Sequence, residues 1–287
     1  MFDTHAHLNF KAFDKDREKI IQECLQENIW MINVGTNFLS SEKAVEIANK
    51  YEKGVYASVG LHPINISKLK SQNSKPRLPD GQAQLKTQNF KKDEDVLEEN
   101  FDYKKYKKLA EDKKVVAIGE IGLDYYRRPK TKKRLEEFKN KQKEIFLQQL
   151  KLAKELNLPV IFHCRMAHQD LIELLKKETI DTRGVIHCFT GDWREAQEYL
   201  KMGFYLGLNG IIFKLDLDDV IKKTPLERLL VETDCPYLTP PDFENERNDP
   251  RGVKFIIEKI AKLKSVRFEE VAQETHKNAL RLFKINY

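Results

Sequence analysis

The chain has 287 residues, and its 51 lysines and arginines against 45 acidic residues give a formal net charge of +6. With 40% hydrophobic and 33% charged residues, the composition is that of a soluble globular protein and excludes a wholly disordered chain. No apolar run approaches the roughly 18 residues of a membrane span, and the few cysteines exclude a disulfide framework, so we expect a cytoplasmic protein without a membrane partner.

Eight short aliphatic runs follow one another along the chain and predict eight strands. Each run is mostly apolar instead of alternating with charged residues, as expected of strands buried on both faces of a parallel sheet. The runs are FDTHAHL from residue 2, MINVG from 31, VYASVG from 55, VVAIGEIG from 115, PVIFHC from 159, GVIHCF from 184, FYLGLNG from 204 and LLVETD from 229.

The segments between these runs have the periodicity of amphipathic helices, for example DREKIIQECLQEN from residue 16 and RLEEFKNKQKEIFLQQLKLAKEL from residue 134. Asp192 is a typical N-cap and Gly203 a typical C′ residue for a further helix between them. Strands that alternate with helices, without a linker of changed composition, predict a single (β/α)8 TIM barrel over residues 1–287. A doubly wound open sheet is the alternative with the same pattern.

Residues 68–100 do not fit this alternation, because they are polar and contain two prolines and a glycine. We interpret this segment as a flexible surface insertion between strands 3 and 4. The functional alternative is a lid or a loop that contacts nucleic acid, since the loops that follow barrel strands lie on the catalytic face.

Two histidines in the first strand are the first candidate site residues. His5 and His7 are two positions apart, so strand geometry places both imidazoles on the same face, toward the barrel interior. Buried imidazoles side by side are unfavourable unless their nitrogens are satisfied, and a divalent cation satisfies them well.

Further ionisable residues stand at the carboxyl ends of other predicted strands, where barrel enzymes collect their catalytic groups. Taken singly, each could be a hydrogen-bonded core residue, a buried ion-pair partner or a cap. Together with His5 and His7 they make six ionisable groups in one barrel mouth, which desolvation and the paired carboxylates make unfavourable without a neutralising cation, so the sequence predicts a metal centre. These additional residues are Glu120, His163, His187 and Asp234.

Three cysteines directly follow these candidates, which raises the alternative of a zinc-thiolate site. Strand alternation argues against it, because Cys164 must point toward the helices if His163 points inward. A buried free cysteine then acts as a small hydrophobic residue. The cysteines are Cys164, Cys188 and Cys235.

Positive and donor groups near the same strand ends suggest an anionic substrate. They are His62, Arg165 and Arg247, which could equally make local salt bridges or turn contacts. The basic run KTKKR at 130–134 predicts a solvated helix start, with electrostatic attraction of nucleic acid as the alternative.

At these residues the chain resembles the TatD family of metal-dependent deoxyribonucleases, within the amidohydrolase-like barrels. The matching motifs run through almost the whole chain in the family's order and leave only the insertion outside. They are DTHAHL at 3–8, GLHP at 60–63, AIGEIGLDYY at 117–126, FHCR at 162–165, HCFTG at 187–191, ETDCPYL at 232–238 and ERNDP at 246–250.

The resemblance implies two divalent cations. Four imidazoles favour zinc or another first-row ion, whereas carboxylates and phosphoryl chemistry are compatible with magnesium or manganese. It implies that His5, His7 and Asp234 hold one ion, that His163 and His187 hold the other, and that Glu120 bridges both. Water activated by these ions, and oriented or deprotonated by Asp234, would then attack a phosphodiester, while His62, Arg165 and Arg247 neutralise the phosphate. The family implies 3′ to 5′ exonuclease action on DNA, at single strands or 3′ ends.

Two other functions remain open from the sequence. A metal-activated water can also attack a carbonyl, so the alternative enzyme is a hydrolase of an amide or ester such as a misacylated tRNA. A barrel that binds nucleic acid without catalysis is the alternative outside the enzymes. No obligate protein partner is indicated, and we expect a monomer.

Overall fold

The structure is a computed structural model and describes residues 1–66, 100–178, 182–244 and 247–286. Within these ranges, parallel strands alternate with helices along the chain. The strands are β1 Phe2–Ala6, β2 Trp30–Val34, β3 Val55–Val59, β4 Val115–Asp124, β5 Val160–Arg165, β6 Gly184–Ile186, β7 Tyr205–Leu208 and β8 Leu229–Val231. The α-helices are α1 Arg17–Gln26, α2 Phe38–Asn49, α3 Tyr103–Ala110, α4 Lys132–Glu155, α5 His168–Lys177, α6 Trp193–Lys201, α7 Asp218–Lys223, α8 Val253–Lys264 and α9 Phe268–Phe283.

The eight strands form one parallel sheet in the order β1 to β8, so each strand pairs with its neighbour in sequence. The ends of the sheet meet where Ala6 forms a bridge with Cys235, and the backbone nitrogen of His7 donates to the oxygen of Cys235 at 3.0 Å. The predicted (β/α)8 barrel is therefore confirmed, and the open sheet is excluded. The insertion predicted at 68–100 lies outside the described residues, except for Asn100.

The strands are buried on both faces, as their apolar composition predicts; all ten residues of β4, for example, are buried. The helices cover the outside of the barrel with one face each, and α1 buries Ile20, Ile21 and Cys24. Removal of this apolar surface from water is the main force that stabilises such a shell. The helical interpretation of the segments between the strands is confirmed.

A separate apolar cluster supports the barrel interior. Ile161, Val185 and Leu230 belong to it, together with Leu282 and Phe283 of α9. Ile161 and Val185 each precede a predicted ligand histidine by two residues, so they lie on the same face of their strands, one layer lower. The cluster thus forms an apolar floor beneath the carboxyl ends of the strands.

The termini of α6 agree with the sequence prediction. The side chain of Asp192 accepts from the backbone nitrogen of Glu195, whose side chain accepts in return from Asp192, which is a capping box. Met202 is the C-cap, and Gly203 follows with φ of 84°, a left-handed conformation that favours glycine.

Across the described part of the chain, no helix is long and apolar enough to cross a bilayer.

Candidate metal centre

The six predicted ligands meet at the carboxyl end of the barrel. His5, Glu120 and His163 lie within β1, β4 and β5, and the other three lie just beyond the strand ends: His7, His187 and Asp234. The backbone nitrogen of Asp234 donates to the oxygen of His5 at 2.8 Å, so closure of the barrel itself brings the last ligand next to the first.

The first half of the centre consists of His5, His7 and Asp234. The two Nε2 atoms of His5 and His7 are 3.2 Å apart. Oδ1 of Asp234 lies 3.4 Å from Nε2 of His7 and 3.7 Å from Nε2 of His5. Three potential ligand atoms from β1 and the end of β8 thus converge on one point.

The second half consists of His163 and His187, with Glu120 between the halves. Oε1 of Glu120 lies 2.5 Å from Nδ1 of His163 and 3.6 Å from Nε2 of His187. Its other oxygen, Oε2, lies 3.4 Å from Nε2 of His5. The two oxygens of one carboxylate therefore face two different groups of histidines.

The Glu120 carboxyl is ionised in this environment, although it is only 4% exposed. Burial alone would raise its pKa, but the surrounding histidines, led by His62 and His163, hold the pKa well below its usual value. Burial likewise opposes protonation of the histidines, yet Glu120 and Asp124 raise the pKa of His163 to about 9. The two carboxylates therefore favour the protonated form of His163, whereas burial lowers the pKa of His5 to about 4.

Each of three imidazoles is oriented through its second ring nitrogen. Nδ1 of His7 lies 2.9 Å from the backbone oxygen of Val34, which can only accept, so Nδ1 carries the proton and Nε2 presents a lone pair. Nδ1 of His187 lies 2.8 Å from Oε1 of Glu232. Metal-binding histidines characteristically donate their other nitrogen to a carbonyl or carboxylate, as His7 does. The contact of His187 with Glu232 is an ion-pair contact.

The third oriented imidazole is His163, and its partner is a residue that the sequence analysis did not single out. Nε2 of His163 lies 3.2 Å from Oδ2 of Asp124. Asp124 is in turn held by Gln142 of α4, whose side chain accepts from the Asp124 nitrogen at 2.8 Å and donates to its oxygen at 2.9 Å. Asp124 is four residues after Glu120 in the same strand, a spacing that signals the same face.

Glu232 is the second residue that sequence reasoning missed. It is fully buried and accepts hydrogen bonds from the backbone nitrogen of Cys188 at 2.7 Å and from the side-chain nitrogen of Asn209 at 3.1 Å. Glu232 is two residues before Asp234, and this spacing could have indicated that both lie on the same face of the strand. Glu232 thus fixes both His187 and the turn that follows it.

The donor set fits divalent cations. Imidazole nitrogens and carboxylate oxygens form groups of three whose potential ligand atoms all lie within 4.8 Å of one another, including His5 with His7 and Glu120, and Glu120 with His163 and His187. Nitrogen and oxygen ligands of this kind suit zinc and other first-row ions, and the carboxylates also suit magnesium or manganese. Glu120 belongs to both groups.

The predicted phosphate contacts divide into two kinds. Nε2 of His62 lies 3.4 Å from Oε1 of Glu120, and Arg165 stands at the end of β5 in register with Asp124, so both border the centre. Arg247 instead donates to the backbone oxygen of Ala12 and to Oδ2 of Asp16 at 2.6 Å. Its guanidinium is thus engaged by the loop after β1.

The cysteines do not join the ligand groups found among the described residues. Cys164 is buried and lies 3.8 Å from the hydroxyl of Tyr199 on α6, which is the outward orientation that strand alternation predicts. Cys235 is fully buried, and burial raises the pKa of its thiol. All four cysteines, including Cys24, are free thiols.

Comparison with known proteins identifies the family of this chain. The family model described as TatD related DNase matches residues 2–284. The chain belongs to this family. It is thereby an enzyme, a metal-dependent hydrolase, and the resemblance inferred from the motifs is confirmed.

Relatives of this TatD family protein match it over all or nearly all of their length. A Bacillus subtilis protein named uncharacterized metal-dependent hydrolase YabD is 39% identical over 293 residues, with 100% of both chains covered. A protein of Erwinia tasmaniensis named 3′-5′ ssDNA/RNA exonuclease TatD is 31% identical, covering 99% of this chain and 100% of the relative. The crystal structure of YJJV, a TatD homologue from Escherichia coli, superposes with a TM-score of 0.78 at 28% identity and covers 100% and 98% of the two chains.

Proposed function

We propose that the protein hydrolyses phosphodiester bonds of DNA, as a 3′ to 5′ exonuclease, at a centre of two divalent cations. The observation that carries this proposal is the position of Glu120, whose two oxygens face different histidines, His5 on one side and His163 and His187 on the other. A carboxylate shared in this way could hold two cations at the separation of roughly 3.5 to 4 Å that two-metal phosphodiesterases use.

In this proposal the six candidate ligands are assigned to two ions according to which side chains lie close together. His5, His7 and Asp234 would hold one ion, His163 and His187 would hold the other, and Glu120 would bind both. Magnesium, manganese or zinc would supply Lewis-acid polarisation of the phosphate and a lowered pKa for water.

The chain's own residues position the reactants. Asp234 has the most exposed carboxylate of the centre, with 18% of its side chain accessible, so it can orient water and take up its proton. His62 and Arg165 border the same opening and offer donors to the non-bridging oxygens, where negative charge develops. Arg247 can do so only after it leaves Asp16.

The full-length match to the Erwinia tasmaniensis exonuclease supports nucleic acid as the substrate class. We infer single strands or 3′ ends as the preferred form, and a cytoplasmic monomer without an obligate protein partner. The same centre could also hydrolyse a carbonyl ester or amide, and the experiment below separates the two chemistries.

The test is digestion of a single-stranded oligonucleotide, labelled at the 3′ end in one sample and at the 5′ end in another, with added magnesium, manganese or zinc. Wild type is compared with Glu120→Ala and with Glu258→Ala, which removes an exposed carboxylate on α8. We expect metal-dependent shortening from the 3′ end in wild type and in the Glu258 variant, lost in the Glu120 variant together with bound metal.

Two outcomes would change the assignment. If Glu120→Ala keeps both hydrolysis and metal content, the two-metal scheme is wrong. If wild type retains two ions per chain by elemental analysis but cleaves no nucleic acid with any metal, the site stands and the substrate is a carbonyl compound.

A further inference from the structure

A strongly basic stretch begins three residues after Asp124 and has no role in the centre described above. Six of the eight residues in 127–134, here called the cationic segment, are lysine or arginine, and none is acidic. Its charge of +6 equals the formal net charge of the entire chain. The segment therefore carries as much positive charge as the whole chain has in excess.

The cationic segment is exposed and unneutralised. All six of its basic residues are exposed, and none forms an ion pair within the described part of the chain. Other lysines of this protein are commonly paired, as Lys107 is with Glu155 at 2.6 Å, Lys223 with Asp219 at 2.8 Å and Lys50 with Glu18 at 3.1 Å. The segment thus retains charge that can act on a ligand.

The cationic segment does not serve the stability of the helix it enters. Helix α4 begins at Lys132, its first turn carries no acidic residue, and no side chain caps its start. Cations at a helix N-terminus oppose the helix dipole and therefore destabilise the helix. By contrast, Lys177, Lys222 and Lys262 occupy last turns of their helices, where the dipole favours them.

A chain of contacts ties the start of the segment to the candidate metal centre. Oδ2 of Asp124 lies 3.2 Å from His163, and Oδ1 of Asp124 accepts from the backbone nitrogen of Tyr126 at 2.8 Å. The ring of Tyr126 stacks on the guanidinium of Arg165 at 3.7 Å. Since consecutive Cα atoms are 3.8 Å apart, the Cα of Arg127 is within about 11 Å of that of Asp124.

We propose that the cationic segment, residues 127–134, binds the sugar-phosphate backbone of single-stranded nucleic acid, adjacent to the linkage held at the metal centre. A polymer with one negative charge per nucleotide matches a row of exposed cations that leads away from the catalytic opening. This inference rests on the proposed function, since it assigns the segment to the same substrate. The segment would hold the strand while its end is hydrolysed.

The test measures binding by the full-length, metal-loaded protein. The probe is a fluorescein-labelled single-stranded DNA whose 3′-terminal linkages are phosphorothioates, which slow cleavage, and anisotropy is followed over about 50 to 200 mM KCl. The test variant replaces three residues of the segment with glutamine: Arg127, Arg128 and Lys130.

A matched control removes the same charge from the opposite end of the barrel. Helices run antiparallel to the strands they follow, so their last turns lie on the face away from the metal centre. The control variant replaces three exposed lysines in such turns with glutamine: Lys177, Lys222 and Lys262.

We expect the test variant to bind the strand on the order of tenfold more weakly at low salt, and the slope of log K against log salt to shrink by about 2, since each lost phosphate contact changes it by about 0.7. The control variant should match wild type. Equal affinity and slope in the test variant and wild type, or a wild type that does not bind the probe, would overturn the inference.

Failure of the proposed function gives a different result. If wild type binds the probe with the salt dependence described but cleaves no natural strand with any metal, the cationic segment binds nucleic acid and the proposed nuclease activity is wrong. If wild type cleaves and the test variant binds as well as wild type, the nuclease activity is supported and the strand binds elsewhere than at the cationic segment.

Discussion

Asp124 and Glu120 flank the imidazole of His163 on opposite sides. Oε1 of Glu120 lies 2.5 Å from Nδ1, and Oδ2 of Asp124 lies 3.2 Å from Nε2. Burial disfavours an ionised Asp124, but its contact with His163 lowers the pKa of Asp124 to about 2. When Nδ1 binds a cation, Nε2 must carry the proton, and the Asp124 carboxylate is the acceptor that fixes this arrangement.

Removal of this carboxylate should weaken metal binding without removing a ligand. We expect Asp124→Ala to lower affinity for one of two ions by about 10- to 100-fold. Asp124→Asn, whose side-chain oxygen can still accept from Nε2, should recover part of that loss. Metal titration by calorimetry measures both variants, with Asp219→Asn on the exposed face of α7 as control. Wild-type affinity for both ions in Asp124→Ala would show that the contact does not orient His163.

Gly207 of β7 provides an indirect test of Glu232. A Cβ atom at Gly207 would lie 2.5 Å from Oε2 of Glu232, which is a steric clash. The buried carboxylate of Glu232 would have to move to remove it. Because Glu232 contacts His187, Gly207→Ala should lower affinity for the ion held there by about tenfold. Metal content after dialysis measures the loss, and Gly203→Asn, at a position with open space, is the control. Unchanged metal content would mean that His187 does not need Glu232.

Much of this centre could be predicted from the sequence, because in a parallel barrel the position of a residue along its strand decides at which end of the barrel it lies. A residue at the carboxyl end of any strand must reach the same mouth, so His5, Glu120 and Asp234 could be grouped without knowledge of their contacts. The outward orientation of Cys164 followed from alternation alone.

The orienting carboxylates could not be assigned in the same way. Asp124 and Glu232 have the correct spacing for the inner face, yet an acidic residue there can equally be a ligand, an ion-pair partner or a cap. Which it is depends on the distance to His163 or His187 in a neighbouring part of the barrel, and spacing within one strand does not contain that distance. Arg247 could not be assigned for the same reason. It was predicted to contact phosphate, but its guanidinium donates to Asp16, a partner distant in sequence.

The capping box of α6 predicts a measurable contribution to stability. Asp192 accepts from the nitrogen of Glu195 at 2.9 Å, and the side chain of Glu195 accepts from the nitrogen of Asp192 at 2.9 Å. We expect Asp192→Ala to lower the free energy of unfolding by about 1 kcal/mol and Asp192→Ser to retain most of it. Urea denaturation measures both, and equal losses in the two variants would show that the cap does not stabilise the helix.

His168 should make the stability of the barrel depend on pH. Its side chain, at the start of α5, is buried with Nδ1 3.1 Å from the hydroxyl of Tyr199 on α6, and burial lowers its pKa to about 4. Because an unfolded histidine titrates near 6.5, the unfolded chain binds the proton more readily between these values. The contribution of neutral His168 is therefore complete above about pH 6.5 and is lost as the pH falls toward 4.

The size of this effect is about 3 kcal/mol over the full interval, since the pKa of His168 falls from near 6.5 in the unfolded chain to about 4 in the fold. His168→Gln retains a hydrogen-bonding group for Tyr199 but does not titrate, so its free energy of unfolding should fall less steeply below about pH 6.5. Urea denaturation of both proteins across this range isolates His168 from the other histidines, which the variant keeps. A constant difference between the two proteins at every pH would show that His168 is not the group whose protonation destabilises the fold.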